Sequence, residues 1–264
     1  MLDELKRFCV GVDLHGTLIE DRELIRGELT EPLIAALSAA RDYCRLFICT
    51  GNDLTFVKRK IPPEILGLFD GMVLETGCVI SDDQSEDVLV CEETAEAMRA
   101  LEAELMKFGD RWVYKFDRRL AAIVLFTKYG FAPHECSKIV DERVRDLGYS
   151  DLAYTTYSSV AVDVIPKGYS KMSGLLRVSG GLATVGVADS MNDIQLHLGS
   201  DISFAPSNIS DELRQRLLDA KRCVVELEKV KKPVLGTTYV ASGSATAGTI
   251  QILEAIVRLA TDMS

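Results

Sequence analysis

The sequence predicts an α/β fold: a doubly wound parallel sheet core with an inserted smaller α/β cap domain. Short apolar runs, such as residues 8–12 and 46–49, have the composition of strands buried on both faces. Helical patterns alternate with these runs, as they do in parallel sheets. From about residue 82 the pattern changes to helix, paired strands, helix and paired strands. This change indicates a second, smaller layer inserted into the first.

Turn and capping residues justify the elements of the first half. Gly16 permits a sharp turn after the first strand, and Pro32 suits the first position of a helix. Apolar spacing then predicts strand 8–12, helix 32–43, strand 46–50, a helix from Asp53, and strand 72–74. In the insert it predicts helix 93–108, strands 112–116 and 121–126, helix 133–147, and strands 154–157 and 160–165.

The same signals predict that the core resumes near Lys171. The expected elements are a helix from Lys171, strand 184–188, a short helix to residue 196, strand 202–205, helix 211–220 capped by Ser210 or Asp211, strand 223–225 and helix 249–260. Residues 236–248 are rich in Gly, Ser and Thr and predict a loop. We therefore predict a core of residues 1–81 and 166–264 and a cap of residues 82–165.

Four predicted strands or helices place reactive polar groups at one sheet edge. Asp13 follows the first strand and Thr50 the second, Lys171 begins a helix, and Asp189 and Asp193 follow a later strand. Ligands of open α/β sheets bind at the carboxyl ends of the strands. A carboxylate that attacks a phosphate ester needs a divalent cation and fixed donors to offset the negative charge. The carboxylates of this set are hard ligands that suit Mg²⁺, so the pattern indicates a phosphoryl-transfer site.

These segments resemble the motifs of the haloacid dehalogenase superfamily. Its first motif is Asp-x-Asp-Gly-Thr, its second ends a strand in Thr or Ser, its third is a Lys and its fourth is Gly-Asp-x-x-Asn-Asp. The order of the motifs is the same here, with Ala188 in place of the fourth motif's Gly. The insert resembles the cap of the type II, Cof-like branch. Within that branch, segments 50–52, 75–77 and 163–171 are most similar to archaeal-type phosphoglycolate phosphatases.

The resemblance implies a role for each matching residue in a Mg²⁺-dependent phosphatase, a hydrolase. The catalytic residues would be Asp13 as nucleophile, His15 as acid/base, and Thr50 and Lys171 as phosphoryl binders. Substrate would be bound by Gly51, Asn52, Lys171, Asn192 and Asn208. The metal would be held by Asp13, the backbone carbonyl of His15, Asp189 and Asp193. The expected substrate is a small phosphorylated metabolite, phosphoglycolate first and a sugar phosphate second.

His15 departs from the family pattern, which has a second Asp at this position to protonate the leaving group and then deprotonate water. Histidine is competent in general acid/base catalysis because its reference pKa is about 6.5. Metal binding should survive the exchange, since the backbone carbonyl is the ligand here. Two alternatives stay open: a phosphomutase or phosphotransferase, and a catalytically weakened phosphate-binding protein. We also expect cap residues Tyr114, Lys115, Arg118 and Arg119 to contact the substrate.

Composition narrows the possible partners. The formal net charge of -10 disfavours nucleic acid or an anionic membrane as a partner, because both call for basic patches. The seven cysteines are scattered without a Cys-x-x-Cys pair and are expected to be reduced core residues. The apolar run after Arg7 is too short for a signal peptide, which predicts a cytoplasmic protein. The oligomeric state is not predictable from this sequence.

Overall fold

The computed structural model describes residues 6–20, 24–82, 85–229 and 234–262 of the chain. Nine strands of these ranges form one sheet. From one edge to the other they are β12 (Cys223–Glu226), β13 (Thr237–Val240), β11 (Ile202–Ala205), β10 (Ala183–Val187), β1 (Phe8–Val12), β2 (Cys44–Cys49), β3 (Gly71–Leu74), β4 (Val79–Ser81) and β5 (Glu86–Val88). The strands from β12 to β3 are parallel, and β4 and β5 continue the sheet antiparallel.

Helices cover both faces of this sheet. They are α1 (Gly27–Arg41), α2 (Leu54–Lys60), α3 (Pro63–Leu66), α6 (Lys171–Val178), α7 (Ile194–Gly199), α8 (Asp211–Asp219) and α9 (Ala245–Asp262). Alternate residues of β1 separate the two faces: Val10 packs with the α1 and α9 side, whereas Cys9 packs with Leu175 of α6. The predicted doubly wound core is confirmed.

A second sheet of four antiparallel strands forms the insert. Its order is β6 (Val113–Arg118), β7 (Ile123–Thr127), β9 (Ala161–Pro166) and β8 (Ala153–Tyr157), with helices α4 (Glu92–Met106) and α5 (Pro133–Asp146). Side chains from both helices and from the strands, including Leu101, Val140 and Val162, make a separate apolar core. The division into core and cap stays a prediction, and because β5 pairs within the core sheet, we propose that the cap begins after Val88 rather than at residue 82.

Several predicted boundaries were wrong. Helix α1 begins at Gly27, five residues before Pro32. Pro32 has no N–H group to donate, but the missing hydrogen bond falls near an exposed end of the helix, where water can donate to the carbonyl instead. The predicted loop 236–248 contains strand β13, and α9 starts at Ala245 rather than at residue 249. The glycine- and threonine-rich composition of this segment is typical of a loop, but β13 is buried and pairs with a strand on each side, β12 and β11.

Two further expectations concern the surface. All seven cysteines are free, but only five are buried, and Cys91 and Cys223 are exposed, which corrects their assignment to the core. The predicted Ser210 cap of α8 is confirmed, since its side chain accepts a hydrogen bond from the Leu213 amide. No helix within the described ranges combines the length and apolar character that crossing a membrane requires.

Gly77 is where the first half of the core meets the helix that carries Lys171. Its φ is +91°, and a Cβ atom there would lie 2.0 Å from the backbone oxygen of Ser170. We expect Gly77→Ala to lower the free energy of unfolding by about 3 kcal/mol or more, because the backbone contact adds to the cost of a left-handed alanine. Urea unfolding measures the loss.

Gly130 provides a matched control, because its φ is +89° and a Cβ atom would meet nothing within 4 Å. Gly130→Ala should therefore cost only about 1 kcal/mol. Equal losses in the two variants would show that the close approach at Gly77 does not constrain the fold.

Candidate active site

The loop after β1 carries the first predicted site residues. Asp13 is only 5% exposed, and the amides of Leu18 and Ile19 bond back to the carbonyls of Asp13 and Leu14. Gly16 turns the loop with φ +69°, and a Cβ there would lie 2.4 Å from Oδ2 of Asp189. A residue with a side chain cannot occupy this position without displacing that carboxylate. The loop therefore holds Asp13 and Asp189 on the same small patch.

Lys171 contacts two other predicted site residues, Asp13 and Asp193. Its Nζ atom donates to Oδ1 of Asp13 at 2.6 Å and lies 2.5 Å from Oδ1 of Asp193. Ser170 caps the start of α6, in a reciprocal pair with Ser173, so Lys171 is the first residue of a fixed helix. Burial favours the neutral amine, but the Asp13 and Asp193 carboxylates outweigh it and raise the pKa of Lys171.

Asp189 and Asp193 complete an acidic cluster. Thr17 Oγ1 donates to Asp189 Oδ1 at 3.0 Å, and Ser190 Oγ lies 3.3 Å from Asp193 Oδ2. Burial raises the pKa of both carboxyls, and the neighbouring Asp13 charge raises it further. Two of these three carboxylates contact the single ammonium group of Lys171, and Asp189 lies near them, which leaves the cluster short of positive charge.

The second strand end supplies hydroxyl and amide groups. Thr50 is buried, and its Oγ1 accepts hydrogen bonds from the backbone amide of Asn52 at 3.2 Å and from Asn52 Nδ2 at 3.0 Å. The same Nδ2 lies 3.4 Å from Nδ1 of His15, whose ring packs 5.4 Å from that of Phe56. Thr50, Asn52 and His15 are therefore adjacent, and Gly51 links the first two.

The structure brings the other predicted amides to the same edge with different neighbours. Asn208 Nδ2 donates to the carbonyl of Gly16 at 2.8 Å and to Asp189 Oδ2 at 3.3 Å, while its Oδ1 accepts from the Ala245 amide. It fastens the Asp13 loop to α9. Asn192 Oδ1 accepts from Ser190 Oγ at 2.6 Å. Substrate binding by Asn192 and Asn208 stays a prediction.

Glu75 joins core and cap in a way that the prediction missed. It is 1% exposed, and its carboxylate accepts hydrogen bonds from three successive cap amides, those of Leu120, Ala121 and Ala122. Burial raises its pKa against the lowering effect of those bonds. Glu75 and Thr76 both have positive φ, 46° and 56°, which is costly for residues with side chains. The strained turn is thus held between the Thr50 loop and the cap.

Arg119 makes the second link between cap and core. Its guanidinium lies 2.6 Å from Asp53 Oδ2 and 2.8 Å from Asp117 Oδ2, and its side chain is 3% exposed. Tyr114 instead points to solvent at 72% exposure, and Lys115 pairs with Asp117 at 3.0 Å. The side chain of Arg118 lies outside the described part of the structure. Among the cap side chains that were expected to contact the substrate and that the structure describes, Arg119 is buried between the cap and the core.

The described carboxylates at this edge of the sheet do not form a ready-made metal site. Within the described ranges, no three His, Cys, Asp or Glu side chains form a ready-made ligand set. The predicted site relies on carboxylates and one backbone carbonyl. The two helix histidines have no role in it: His197 is wholly buried, with Nε2 3.2 Å from the Ala188 carbonyl, and His134 packs against Tyr157.

Comparison with known proteins tests the resemblance. No family model matches the sequence. Phosphoglycolate phosphatase 1 of Saccharolobus solfataricus is 27% identical over 212 residues, which cover 78% of this chain and 85% of the relative.

Two solved structures share the fold over nearly their whole length. A protein of Thermoplasma acidophilum superposes with a TM-score of 0.66 at 15% identity, covering 96% of this chain and 98% of the other. The sucrose-phosphatase of Synechocystis, solved with sucrose and phosphate, gives 0.66 at 18% identity with the same coverage. The relative supports the predicted enzyme class, a phosphatase, and confirms the predicted similarity to phosphoglycolate phosphatases, and the two solved structures share the predicted fold.

Proposed function

We propose that the chain is a Mg²⁺-dependent phosphoric monoester hydrolase that works through an aspartyl phosphate on Asp13. The observation that carries the proposal is the buried contact of Lys171 with both Asp13 and Asp193. Lys171 occupies Oδ1 of Asp13 and leaves Oδ2 for attack on phosphorus. A carboxylate nucleophile divides hydrolysis into two easier steps.

The donor chemistry of the residues present fits a divalent cation, although their side chains do not form a ready-made ligand set within the described ranges. Asp13 and Asp193 share the Lys171 ammonium group and Asp189 lies close to them; burial, and after it the Asp13 charge, raises the pKa values of Asp189 and Asp193. Oxygen donors of this kind suit Mg²⁺. The ion would be held by Asp13, Asp189, Asp193 and the carbonyl of His15. When bound it would neutralise charge on the transferring phosphoryl group.

Fixed donors after strand β2 would bind the phosphoryl oxygens. The Thr50 hydroxyl, the Asn52 amide and the Gly51 backbone lie on one turn, and Lys171 adds positive charge. Donors fixed before the reaction stabilise developing negative charge without reorganisation.

His15 would transfer the protons. In the first step an Asp13 oxygen bonds to phosphorus, the ester bond breaks, and the leaving oxygen takes a proton from His15. In the second step water attacks the phosphorus and gives its proton to His15, and inorganic phosphate leaves as the Asp13 carboxylate is restored. The contact with Asn52 orients the ring for both transfers.

The proposed substrate is a small phosphorylated metabolite. The curated relative is named for phosphoglycolate and a structural neighbour for sucrose phosphate, so the candidates are phosphoglycolate and a sugar phosphate. A phosphomutase or phosphotransferase, or a binding protein without turnover, has no support among the comparisons. Release of inorganic phosphate distinguishes hydrolysis from both.

Magnesium binding should depend on pH through the acidic cluster. The pKa values of Asp189 and Asp193 are raised to about 8 and about 7, above their values in the unfolded chain. The stability that these groups give the metal-free fold is therefore fully present only below about pH 4 and is lost progressively as pH rises to about 7 to 8. A cation replaces the lost protons, so we expect Mg²⁺ to raise Tm more at pH 8 than at pH 6. Calorimetry of the native chain and of Asp189→Asn, which should lose most of this response, checks the prediction; equal Tm increments at both pH values would contradict it.

Two substitutions test the chemistry. Asp13→Asn removes the nucleophile and should lower kcat at least a thousandfold, whereas His15→Asp should keep or increase turnover by restoring the family's acid/base. Phosphate release from a panel of esters with Mg²⁺ measures both effects. A silent native chain with a highly active His15→Asp variant would favour a binding protein, and an active Asp13→Asn variant would exclude the proposed nucleophile.

His15 should also affect the choice of leaving group. In this family a carboxylic acid gives the leaving group its proton, and the His15 imidazole takes that place here. We expect kcat to be higher for an aryl phosphate, whose leaving group needs no proton, than for an alkyl phosphate, and His15→Asp to narrow the gap. Equal turnover of p-nitrophenyl phosphate and an alkyl phosphate by the native chain would contradict this prediction.

A further inference from the structure

Asp163 is a charged residue in the middle of an apolar cap strand. Its neighbours Val162 and Val164 belong to the cap's own apolar core, and alternation along β9 turns Asp163 to the opposite face. Ile165, on that same face, packs with the core domain. Asp163 therefore faces the catalytic layer.

The Asp163 carboxylate lacks a hydrogen-bond donor. The residue is 8% exposed, and within the described ranges no donor bonds to its oxygens. Burial raises its pKa to about 6, and the Arg119 and Lys171 charges act in the opposite direction. No described protein group donates to this carboxylate, so water or a bound partner can supply the hydrogen bond. Since Lys171 binds Asp13, that partner would lie on the cap side of the nucleophile.

The cations near Asp163 already contact other carboxylates, although the buried Nε atom of Arg119 has no hydrogen-bond partner among the described residues. Arg119 contacts Asp53 and Asp117, and Asp117 also pairs with Lys115. Negative charge therefore exceeds positive charge here: the two basic side chains described at this edge lie among three carboxylates, those of Asp53, Asp117 and Asp163. A substrate carboxylate placed there would meet repulsion, whereas a hydroxyl would supply the donor that Asp163 lacks.

We propose that Asp163 is a specificity-determining residue that accepts a hydrogen bond from a hydroxyl of the substrate's organic group. It thereby favours phosphate esters of neutral, hydroxyl-bearing compounds over esters that carry a carboxylate. This inference rests on the proposed phosphatase function and narrows its substrate class towards sugar or polyol phosphates.

A matched substrate pair tests the inference. Glycerol 3-phosphate and 3-phosphoglycerate share a three-carbon skeleton and differ in a hydroxymethyl or a carboxylate group at the end distant from phosphorus. We expect kcat/KM of the native chain to be at least tenfold higher for glycerol 3-phosphate. Asp163→Asn, which removes the charge and keeps the shape, should reduce this ratio about tenfold, mainly through KM. Turnover of p-nitrophenyl phosphate, which has no group for Asp163 to bind, should change little.

Asp87→Asn serves as the control, because Asp87 is exposed on β5 and its loss should leave the ratio unchanged. Calorimetric affinities of the Asp13→Asn chain, with and without Asp163→Asn, give the same ratio without turnover. If the native chain hydrolyses no ester, the proposed phosphatase function is wrong, but the role of Asp163 is still tested, because the measured affinities do not depend on turnover. A native preference for 3-phosphoglycerate, a ratio unaffected by Asp163→Asn, or binding of neither ester would overturn it.

Discussion

The contact of the Lys171 ammonium with Asp13 and Asp193 is the constraint on which the rest of the structure depends. Neither carboxylate could be buried beside the other without a cation, and Lys171 could not be buried without them. The three residues come from three separate elements, the end of β1, the start of α6 and the turn after β10. Fixing this contact fixes how the strands that carry it are arranged. The geometry of the candidate site and the arrangement of the core therefore depend on the same contact.

The turn at residues 75–77 carries this constraint to the cap. Thr76 bonds back to the Thr50 carbonyl, Gly77 lies against Ser170 at the start of α6, and Glu75 binds the cap amides of residues 120–122. One strained segment therefore touches the Thr50 loop, the helix of Lys171 and the cap. The positive φ angles of Glu75 and Thr76 are tolerated because hydrogen bonds from both layers over-determine the turn. Cap position and site geometry are coupled through it.

Local signals made much of this site predictable. An apolar run followed by a charged or hydroxyl residue marks a strand end, so Asp13, Thr50 and Asp189 could be placed at one edge, and the structure brings them there. Contacts over long sequence distances could not be predicted: Glu75 and the amides it binds are 45 to 47 residues apart, and Arg119 and Asp53 are 66 apart. All three residues of strand β5, Glu86–Val88, are exposed and two of them are acidic, and only the pairing with β4 makes the strand part of the sheet. Asp163 did have a local signal, a single charge inside a buried strand.

In the proposed reaction, the cap and His15 would act on different parts of the substrate. His15 lies on the core loop beside Asn52 and would transfer protons near phosphorus, whereas Asp163 and Arg119 lie on the cap edge and would face the organic group. Exchange of the acid/base residue therefore need not change which compound is bound, and a change in the cap need not affect the chemical step. This separation explains how a cap can be altered for new substrates while the Lys171 cluster stays intact. It also implies that slow turnover caused by His15 and strict selection caused by Asp163 can coexist in one enzyme.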